Sequence, residues 1–398
     1  MVAPENRGAV GTTGRPKLRV TDIFRRHGEA FGADHVLTPI QHKVLRVLAA
    51  CRTAALGGHL EHCDACGFER PAYNSCRNRH CPGCQAAASH AWLAQRLVRV
   101  LPTHHFHVVF TLPEELRPVA LRNGAVVYDI LLRSAAAVLD VLGRHRLGSQ
   151  LGVTSVLHTW TRSMLYHPHV HCVVTGGGLA LDGARWTSTP RTFLFPVAVM
   201  RKLFRGMVRR RLRDAFAAGD LDLGGTCAPL ADPRVFAGLL RSIHRKRWVV
   251  YCKPPFAGAD KVYEYLGRYT HRVAISDHRL VAAAGDLVSF GTRHGQQVTV
   301  EPAEFIRRFL LHVLPHGFHK IRHTGVYAAT NVNTRLARAQ GLLGKPPRAP
   351  AAAAPTEPAV EAKPSRACPC CAVGTLLRLP LPRPAGRDAP VPVALDSS

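Results

Sequence analysis

Three histidines at alternate positions are the most chemically suggestive feature of the sequence. The stretch HPHVHCVVTGGG, residues 167–178, contains His167, His169 and His171. Side chains two residues apart face the same side of a β-strand, so the pattern predicts imidazoles on one face, where they can chelate a divalent cation. Pro168 cannot donate to a sheet ladder, so the strand is expected to begin at His169, and the predicted ligands are His169 and His171. Satisfied core histidines are the alternative interpretation.

The glycines that follow, in TGGG, are expected to form a turn that allows close backbone approach. This stretch lacks the Lys and the Ser or Thr of a P-loop. The sequence therefore predicts no nucleotide cofactor at this position.

A dense cysteine segment precedes this stretch. CDACGFERPAYNSCRNRHCPGC, residues 63–84, contains two C-x-x-C pairs, and such pairs can wrap one tetrahedral Zn²⁺. Buried or redox-active thiols are the alternative. The candidate zinc ligands are Cys63, Cys66, Cys76, Cys81 and Cys84.

A closed thiolate site contributes to folding and not to chemistry, so the segment is predicted to be a structural DNA-binding module. Arg77 and Arg79, together with His80, suit contacts to phosphate. Near the other end of the chain, CPCC at residues 368–371 does not complete a four-ligand site by itself. No ligand role is predicted for it.

Two tyrosines provide a candidate nucleophile. In YLGRYTHRVAIS, Tyr265 and Tyr269 are four residues apart, which places them on one face of a predicted helix. An aromatic stripe against the core is the alternative, but Arg268 and Arg272 lie among these positions and would be unfavourable in an apolar core. A phenol has a pKa around 10 and is a weak nucleophile at neutral pH. A cation that polarises a phosphodiester would favour attack by the phenol on the phosphorus atom.

The surrounding pattern alternates helices and strands. Residues 18–60 read as helical, with Thr38 as N-cap and Pro39 at the first helical position. Strands are expected at 106–112, 153–160, 169–174, 247–253 and 278–285. The Pro- and Ala-rich residues 345–366 read as a linker. The predicted domains are a helical and zinc-binding DNA-binding domain at 1–98, a catalytic domain at 99–345, and a linker with a disordered tail at 346–398.

Composition indicates the partner. Lys and Arg number 53 against 26 Asp and Glu, a formal charge of +27, which favours a nucleic acid over a membrane surface. The apolar runs are shorter than the roughly 20 residues of a membrane span, and the N-terminal residues do not form a secretory signal. A cytoplasmic, nucleoid-associated protein is expected, and in that compartment the twelve cysteines favour metal over disulfides.

These motifs together resemble the bacterial HUH-type two-tyrosine transposases of rolling-circle insertion sequences. HUH denotes two histidines around a bulky apolar residue, here His169-Val170-His171, and the tyrosine motif corresponds to YLGRYTHRVAIS. Further resembling blocks are FHVVFTLPEEL, FIRRFLLHVLPHGFHKIRHTG and the zinc-binding YNSCRNRHCPGC. The resemblance covers about residues 18–340. Residues 288–305 are shorter than is usual in the family, and the CPCC tail lacks the family's following glycine.

The resemblance implies an α+β fold: an antiparallel palm sheet with flanking helices, preceded by a helical zinc-binding domain. It implies that Tyr265 or Tyr269 cuts single-stranded DNA at element ends and leaves a 5′-phosphotyrosine. Mg²⁺ or Mn²⁺ would be the catalytic cation and Zn²⁺ the structural one, with His158 or His167 as a third catalytic ligand. Arg268 and Arg272 join Arg77 and Arg79 as predicted DNA contacts.

Two other classes of protein fit part of the sequence. A non-catalytic zinc-finger DNA-binding protein explains the charge and the cysteines, but not the histidines together with the tyrosines. A metal-dependent hydrolase would use the histidines alone and form no protein–DNA adduct. The sequence leaves open the recognised DNA ends, the order in which the tyrosines act and the oligomeric state.

Overall fold

The computed structural model describes residues 18–253, 255, 273–284, 286–293, 295–344 and 367–381. The predicted tyrosine helix, with Tyr265, Tyr269, Arg268 and Arg272, lies outside the described residues. Among the helices that are described, none is long and apolar enough to cross a membrane.

Two helices begin the described chain, α1 (Val20–Asp34) and α2 (Pro39–Ala49). The predicted start of α2 is confirmed: the Thr38 hydroxyl accepts from the backbone N–H of Gln41, and Pro39 occupies the first turn. This arrangement satisfies an N–H that the helix itself leaves without a partner. Both helices then pack their apolar sides into a core that they share with later elements.

The cysteine-rich region forms a small sheet followed by a helix. Its strands are β1 (Gly58–Cys63) and β2 (Glu69–Tyr73), and helix α3 (Gln85–Arg99) leads into the main sheet. A third strand, β12 (Leu376–Leu381), pairs antiparallel with β1, so the order is β12-β1-β2. Residues 367–381 therefore do not belong to a disordered tail, as the sequence had suggested. Their order depends on a partner strand more than 300 residues earlier, which local composition does not reveal.

The main sheet carries the candidate site. It consists of β3 (His105–Thr111), β4 (Ser149–Trp160), β5 (Tyr166–Ala180), β7 (Val250–Lys253) and β11 (Ile321–Gly325) in the order β11-β4-β5-β3-β7. The short strand β6 (Trp186–Ser188) also pairs with β5. The pairings within this sheet are all antiparallel. The α+β class with an antiparallel sheet and a cysteine-rich N-terminal region is thus confirmed.

Helices cover one face of this sheet: α4 (Arg117–Arg122), α5 (Gly124–Leu147), α6 (Val197–Ala217) and α7 (Pro233–Arg245). The long helix α5 ends at Gly148, whose left-handed φ of 58° is the usual helix stop. Its buried residues form the largest core with Val170, Cys172 and Val174 of β5. Burial of this apolar face holds β5 in place and leaves its other face for polar side chains.

A smaller sheet and a helix complete the described fold. Strands β8 (Leu280–Ala284), β9 (Leu287–Gly291) and β10 (Gln297–Val300) precede α8 (Pro302–Leu310), and α9 (Ala337–Leu342) follows β11. Phe24 of α1 packs edge-on against Phe309 of α8, with ring centroids 5.1 Å apart. The N-terminal helices therefore share one core with residues 288–310, on the far side of the domain boundary expected near residue 98.

The glycines after the histidines lie within strand β5 and not in a turn. A Cβ at Gly178 would lie 2.7 Å from the carbonyl oxygen of Gln150, and one at Gly177 would clash with Thr187 and lie 2.8 Å from the Trp186 ring nitrogen. Close backbone approach, as predicted, is thus the reason for glycine here. Pro168 also lies inside β5, which begins at Tyr166 and not at His169. The register with β4 shifts between His158 and Trp160, and such an irregularity is a position where a strand tolerates proline.

Candidate functional site

Strand β5 separates its side chains by parity. Tyr166, Pro168 and Val170 are buried, whereas His167, His169 and His171 are partly exposed. This is the alternation expected of a strand with one face against a core. The predicted placement of the three histidines on one face is confirmed.

His158 of β4 joins two of these histidines. It pairs directly with His169 across the strands, so both imidazoles face the same side. One ring nitrogen from each of His158, His169 and His171 lies within 4.8 Å of the others, a spacing that fits three ligands of one cation. His167, the other candidate for a third ligand, is not a member of this group. We call His158, His169 and His171 the histidine cluster.

Hydrogen bonds orient the rings of the histidine cluster. The carbonyl of His167 can only accept, so Nδ1 of His169 donates to it at 2.7 Å and Nε2 keeps its lone pair. Nδ1 of His171 lies 2.8 Å from Nε2 of His107 on β3. If Nδ1 of His171 donates there, its Nε2 is also a ligand atom. A contact to a backbone carbonyl, as at His169, is a usual second contact of a metal-binding histidine, and at His171 a second imidazole takes this place.

His107 was not predicted from the sequence. The two-residue period of a strand places His107 on the same face as Val109, and Val109 pairs with His171. Side chains at these positions share the face of the histidine cluster. Only the strand register brings His107 and His171 together, however, and the register was unknown from the sequence.

Burial keeps these imidazoles neutral. It lowers the pKa of His107 and of His169 to about 4. Burial, together with neighbouring histidines, lowers the pKa values of His158 and His171 well below the usual range. A neutral imidazole is the form that binds metal, so at pH 7 the cluster fits a divalent cation without loss of a proton.

The same face continues onto the edge strand β7. Tyr251 pairs with Val109, which places its ring on the side of His171, and the side chain is 37% exposed. The ring centroids of Tyr251 and His107 are 6.2 Å apart. A cationic neighbour is present as well, since the buried Lys320 acts electrostatically on His158. Burial and the charge of Arg79 lower the pKa of Lys320 to about 7.

Four cysteines form a first closed thiol set, Cys51, Cys76, Cys81 and Cys84. The Sγ–Sγ distances are 3.6 Å for Cys51–Cys84, 3.6 Å for Cys76–Cys84 and 3.7 Å for Cys51–Cys81. Four sulfurs at about 2.3 Å from a tetrahedral zinc ion would be about 3.8 Å apart. The set therefore has the dimensions of a Cys₄ zinc site. Cys51, which follows helix α2, was missed because it lies outside the dense segment.

The remaining predicted ligands, Cys63 and Cys66, lie in a different group with Cys368 and Cys371. This differs from the prediction that the two C-x-x-C pairs of residues 63–84 share one ion. It also differs from the expectation for CPCC, for which no ligand role was predicted. The difference arises because β1 and β12 pair, which brings the first C-x-x-C pair next to residues 368–371.

The residues between the cysteines attach this region to the segment that precedes β11. The Arg79 guanidinium donates to the carbonyl of Phe318 at 2.7 Å. His80 is buried, and its Nε2 accepts the backbone N–H of Leu314 at 3.1 Å, so it does not reach a phosphate as expected. Arg77 is exposed and has a left-handed φ of 51°. Of the three, Arg77 has the most accessible charge for DNA.

The basic helix α6 lies on the opposite face of the sheet from the histidine cluster, within the largest core. Arg205 and Arg209 donate to the carbonyls of His244 and Leu240, near the C-terminal end of α7. Cationic side chains at the C-terminal end of a helix donate to its last carbonyls and interact favourably with the negative end of the helix dipole. These two arginines therefore have structural partners within the fold.

An antiparallel sheet with converging histidines, joined to a module with four clustered thiols, defines a metal-binding protein. The charge of +27 directs such a protein to nucleic acid. Comparison with known proteins agrees with this class. Residues 152–335 match a family described as "Putative transposase", and residues 23–112 match a "Transposase zinc-binding domain".

Two curated relatives extend over most of the chain. The "Putative transposase y4qJ" of Sinorhizobium fredii (strain NBRC 101917 / NGR234) is 44% identical over 376 residues, 90% of this chain and 94% of the relative. The "Transposase for insertion sequence element IS801" of Pseudomonas savastanoi pv. phaseolicola is 29% identical over 309 residues, 73% of this chain and 71% of the relative. No solved structure matches the chain.

The chain belongs to this family of Y2 transposases with an IS91-type zinc-binding domain. The family resemblance inferred from the motifs is thereby confirmed. DNA is accordingly the partner, and DNA strand transfer is the activity of the family.

Proposed function

We propose that this transposase cuts and rejoins single-stranded DNA at insertion-sequence ends through a covalent link between tyrosine and the 5′-phosphate. The observation that carries the proposal is the histidine cluster. Three neutral imidazoles converge on the open face of the central strand, inside the segment that matches the transposase family. Such a cluster provides ligands for a cation, and membership of the transposase family indicates that DNA is the substrate.

His158, His169 and His171 would hold Mg²⁺ or Mn²⁺. A cation bound there would polarise the phosphodiester and stabilise the charge that develops on its oxygens. His107 would fix the His171 ring through the 2.8 Å contact. Protonated Lys320, which acts electrostatically on His158, would add positive charge near the histidine cluster, and its pKa of about 7 means that it would carry this charge mainly below pH 7.

The nucleophile in this proposal is Tyr265 or Tyr269, as the motif resemblance implies. The phenol loses its proton as its oxygen forms a bond to phosphorus, and the bond from phosphorus to the 3′-oxygen breaks. The released oxygen takes up one proton to become a 3′-hydroxyl, so the net step transfers one proton from the phenol to the 3′-oxygen. The phosphotyrosine retains the ester bond, so a 3′-hydroxyl can later attack it and reseal a strand without ATP. The second tyrosine, as an alternative to a 3′-hydroxyl, would take over the strand from the first.

The zinc-binding domain would provide the structural part. In this proposal Cys51, Cys76, Cys81 and Cys84 hold one zinc ion, which fixes the loop that carries Arg77 and Arg79. Arg77 would contact the DNA backbone. Arg79, through the carbonyl of Phe318, would keep the domain aligned with the sheet.

The test is adduct formation on labelled single strands taken from the flanks of the transposase gene, with Mg²⁺ or Mn²⁺. We expect a denaturation-resistant protein–DNA adduct that carries the 5′-phosphate side of the cut. It should disappear in the double variant Tyr265→Phe/Tyr269→Phe. The matched control is Tyr251→Phe, a tyrosine on the face of the histidine cluster, which should retain the adduct.

Other outcomes separate the alternatives. Full-rate cleavage to a free 5′-phosphate in the double tyrosine variant would identify a hydrolase and refute the tyrosine mechanism. DNA binding without any cleavage would identify a non-catalytic binding protein. For the cation site, His169→Ala/His171→Ala should abolish cleavage and retain DNA binding, whereas loss of both would indicate a folding role.

A further inference from the structure

A second set of four thiols joins the cysteine-rich region to residues 367–381. The Sγ atoms of Cys66 and Cys368 are 3.6 Å apart, and those of Cys63 and Cys371 are 3.8 Å apart. All four lie within 4.8 Å of one another. These distances exclude disulfides, whose sulfurs are about 2.05 Å apart, and match the edge of about 3.8 Å expected for a tetrahedral ZnS₄ site.

Backbone amides point at these sulfurs. The N–H groups of Cys66 and Cys370 donate to the sulfurs of Cys63 and Cys368 at 3.5 and 3.3 Å. The N–H of Gly374 donates to the sulfur of Cys371 at 3.3 Å. Such bonds stabilise thiolates, and both halves of the set are C-x-x-C turns that present two sulfurs each. Four thiolates this close repel one another unless a cation lies between them.

The backbone around the thiols is paired to hold them there. Strand β12 pairs with β1 up to Cys63, opposite Leu376. Just beyond, the Asp64 carboxylate accepts the N–H of Thr375 at 2.8 Å, and the N–H of Asp64 donates to the Thr375 carbonyl at 3.2 Å. Gly374 fits against the cysteines because it lacks a Cβ, which would collide with the sulfur of Cys63 and lie 2.7 Å from Cβ of Ala65.

Apolar burial around this sheet is small. The local core contains Cys63, Cys368 and Leu376, with Phe68 and Cys371 at its edge. The other side chains of β12 are exposed or partly exposed. A three-stranded sheet with so little buried apolar surface needs a further source of stability, and a structural metal ion is the usual one.

We propose that Cys63, Cys66, Cys368 and Cys371 bind a second structural zinc ion, which fastens residues 367–381 to the first strand of the cysteine-rich region. The site is separate from the Cys51, Cys76, Cys81 and Cys84 set. Two of its ligands lie beyond the matched zinc-binding domain, which ends at residue 112. The zinc would hold the C-terminal segment as an edge strand on β1.

Metal content of the full chain, measured by inductively coupled plasma mass spectrometry, tests the number of zinc sites. We expect Cys368→Ser/Cys371→Ser to contain one zinc ion fewer per chain than the unaltered protein. The matched control is Cys370→Ser, because Cys370 is exposed and its thiol lies outside the set. It should keep the full zinc content. Unchanged zinc in the double variant, or iron in place of zinc, would overturn the proposal.

Alkylation of the unaltered protein gives a second measurement that does not depend on how a variant folds. With zinc bound, N-ethylmaleimide should modify Cys370 and leave Cys368 and Cys371 unmodified. After a chelator removes the zinc, all three should react. Modification of Cys368 and Cys371 as fast as Cys370 in the zinc-loaded protein would contradict the site.

Discussion

Replacement of His107 tests whether the histidine cluster is a cation site whose ring geometry is set by a neighbour. His107 does not belong to the cluster, and its Nε2 lies 2.8 Å from Nδ1 of His171. In His107→Ala, Nδ1 of the largely buried His171 ring loses this partner. A buried polar group left unsatisfied is destabilised by roughly 1–3 kcal/mol.

The expected consequence is weaker cation binding. Loss of such an outer contact typically lowers metal affinity by about 10- to 100-fold, which corresponds to about 1.4–2.7 kcal/mol and agrees with the estimate from the buried group. His107→Gln can still offer an oxygen to Nδ1 of His171, so it should retain more affinity than the alanine variant. An Mn²⁺ titration, followed by calorimetry and by the rate of adduct formation, measures both variants.

The control is His323→Ala. His323 lies on β11, and its Nδ1 is hydrogen-bonded to the Thr154 hydroxyl and not to a residue of the histidine cluster. It should leave the Mn²⁺ affinity within about two-fold of the unaltered protein. If His107→Ala binds Mn²⁺ as tightly as the unaltered protein, the inferred role of His107 is wrong. If all three variants lose affinity equally, the effect is one of general destabilisation.

Three further outcomes are expected. Burial lowers the folded-state pKa of His107 and of His169 to about 4, so between pH 6.5 and 4 the unfolded chain binds more protons than the folded protein. Urea denaturation should therefore show that the free energy of unfolding falls as the pH drops from about 6.5 to 4, by about 1.4 kcal/mol per pH unit for each of these histidines. Arg79→Ala should lower the free energy of unfolding by roughly 1.5–3 kcal/mol, because the charged hydrogen bond to Phe318 is lost; an unchanged melting temperature would contradict this docking role. Gly177→Ala should lower the free energy of unfolding by more than about 2 kcal/mol, because its Cβ would clash with the Thr187 backbone. Gly206→Ala lies on an open helix surface and should raise the free energy of unfolding by about 0.5–1 kcal/mol, and thermal melts of both variants measure the difference.

Local patterns predicted part of this fold. The strands expected from the sequence overlap β3, β4, β5, β7 and β8, whereas the other described strands were not predicted. The N-cap at Thr38 followed from its side chain and the next proline. The common face of His169 and His171 needed only the two-residue period of a strand. Each of these features depends on residues that are close in sequence.

The features that the sequence did not reveal depend on distant partners. His107 meets His171 through strand register, 64 positions away. Cys371 meets Cys63 across 308 positions. Gly177 and Gly178 looked like a turn because nothing local shows that other backbones press against them. Register and long-range pairing are tertiary properties, so a single sequence leaves them undetermined.

The most direct test of the central claim is the position of the DNA on the protein. After adduct formation, nuclease digestion and trypsin cleavage, mass spectrometry should find a nucleotide on the peptide of residues 262–268 or 269–272, which contain Tyr265 and Tyr269 respectively. The adduct should require Mg²⁺ or Mn²⁺ and an intact histidine cluster. A nucleotide on the peptide that contains Tyr251, or an adduct that forms equally well in His169→Ala/His171→Ala, would contradict the proposed mechanism.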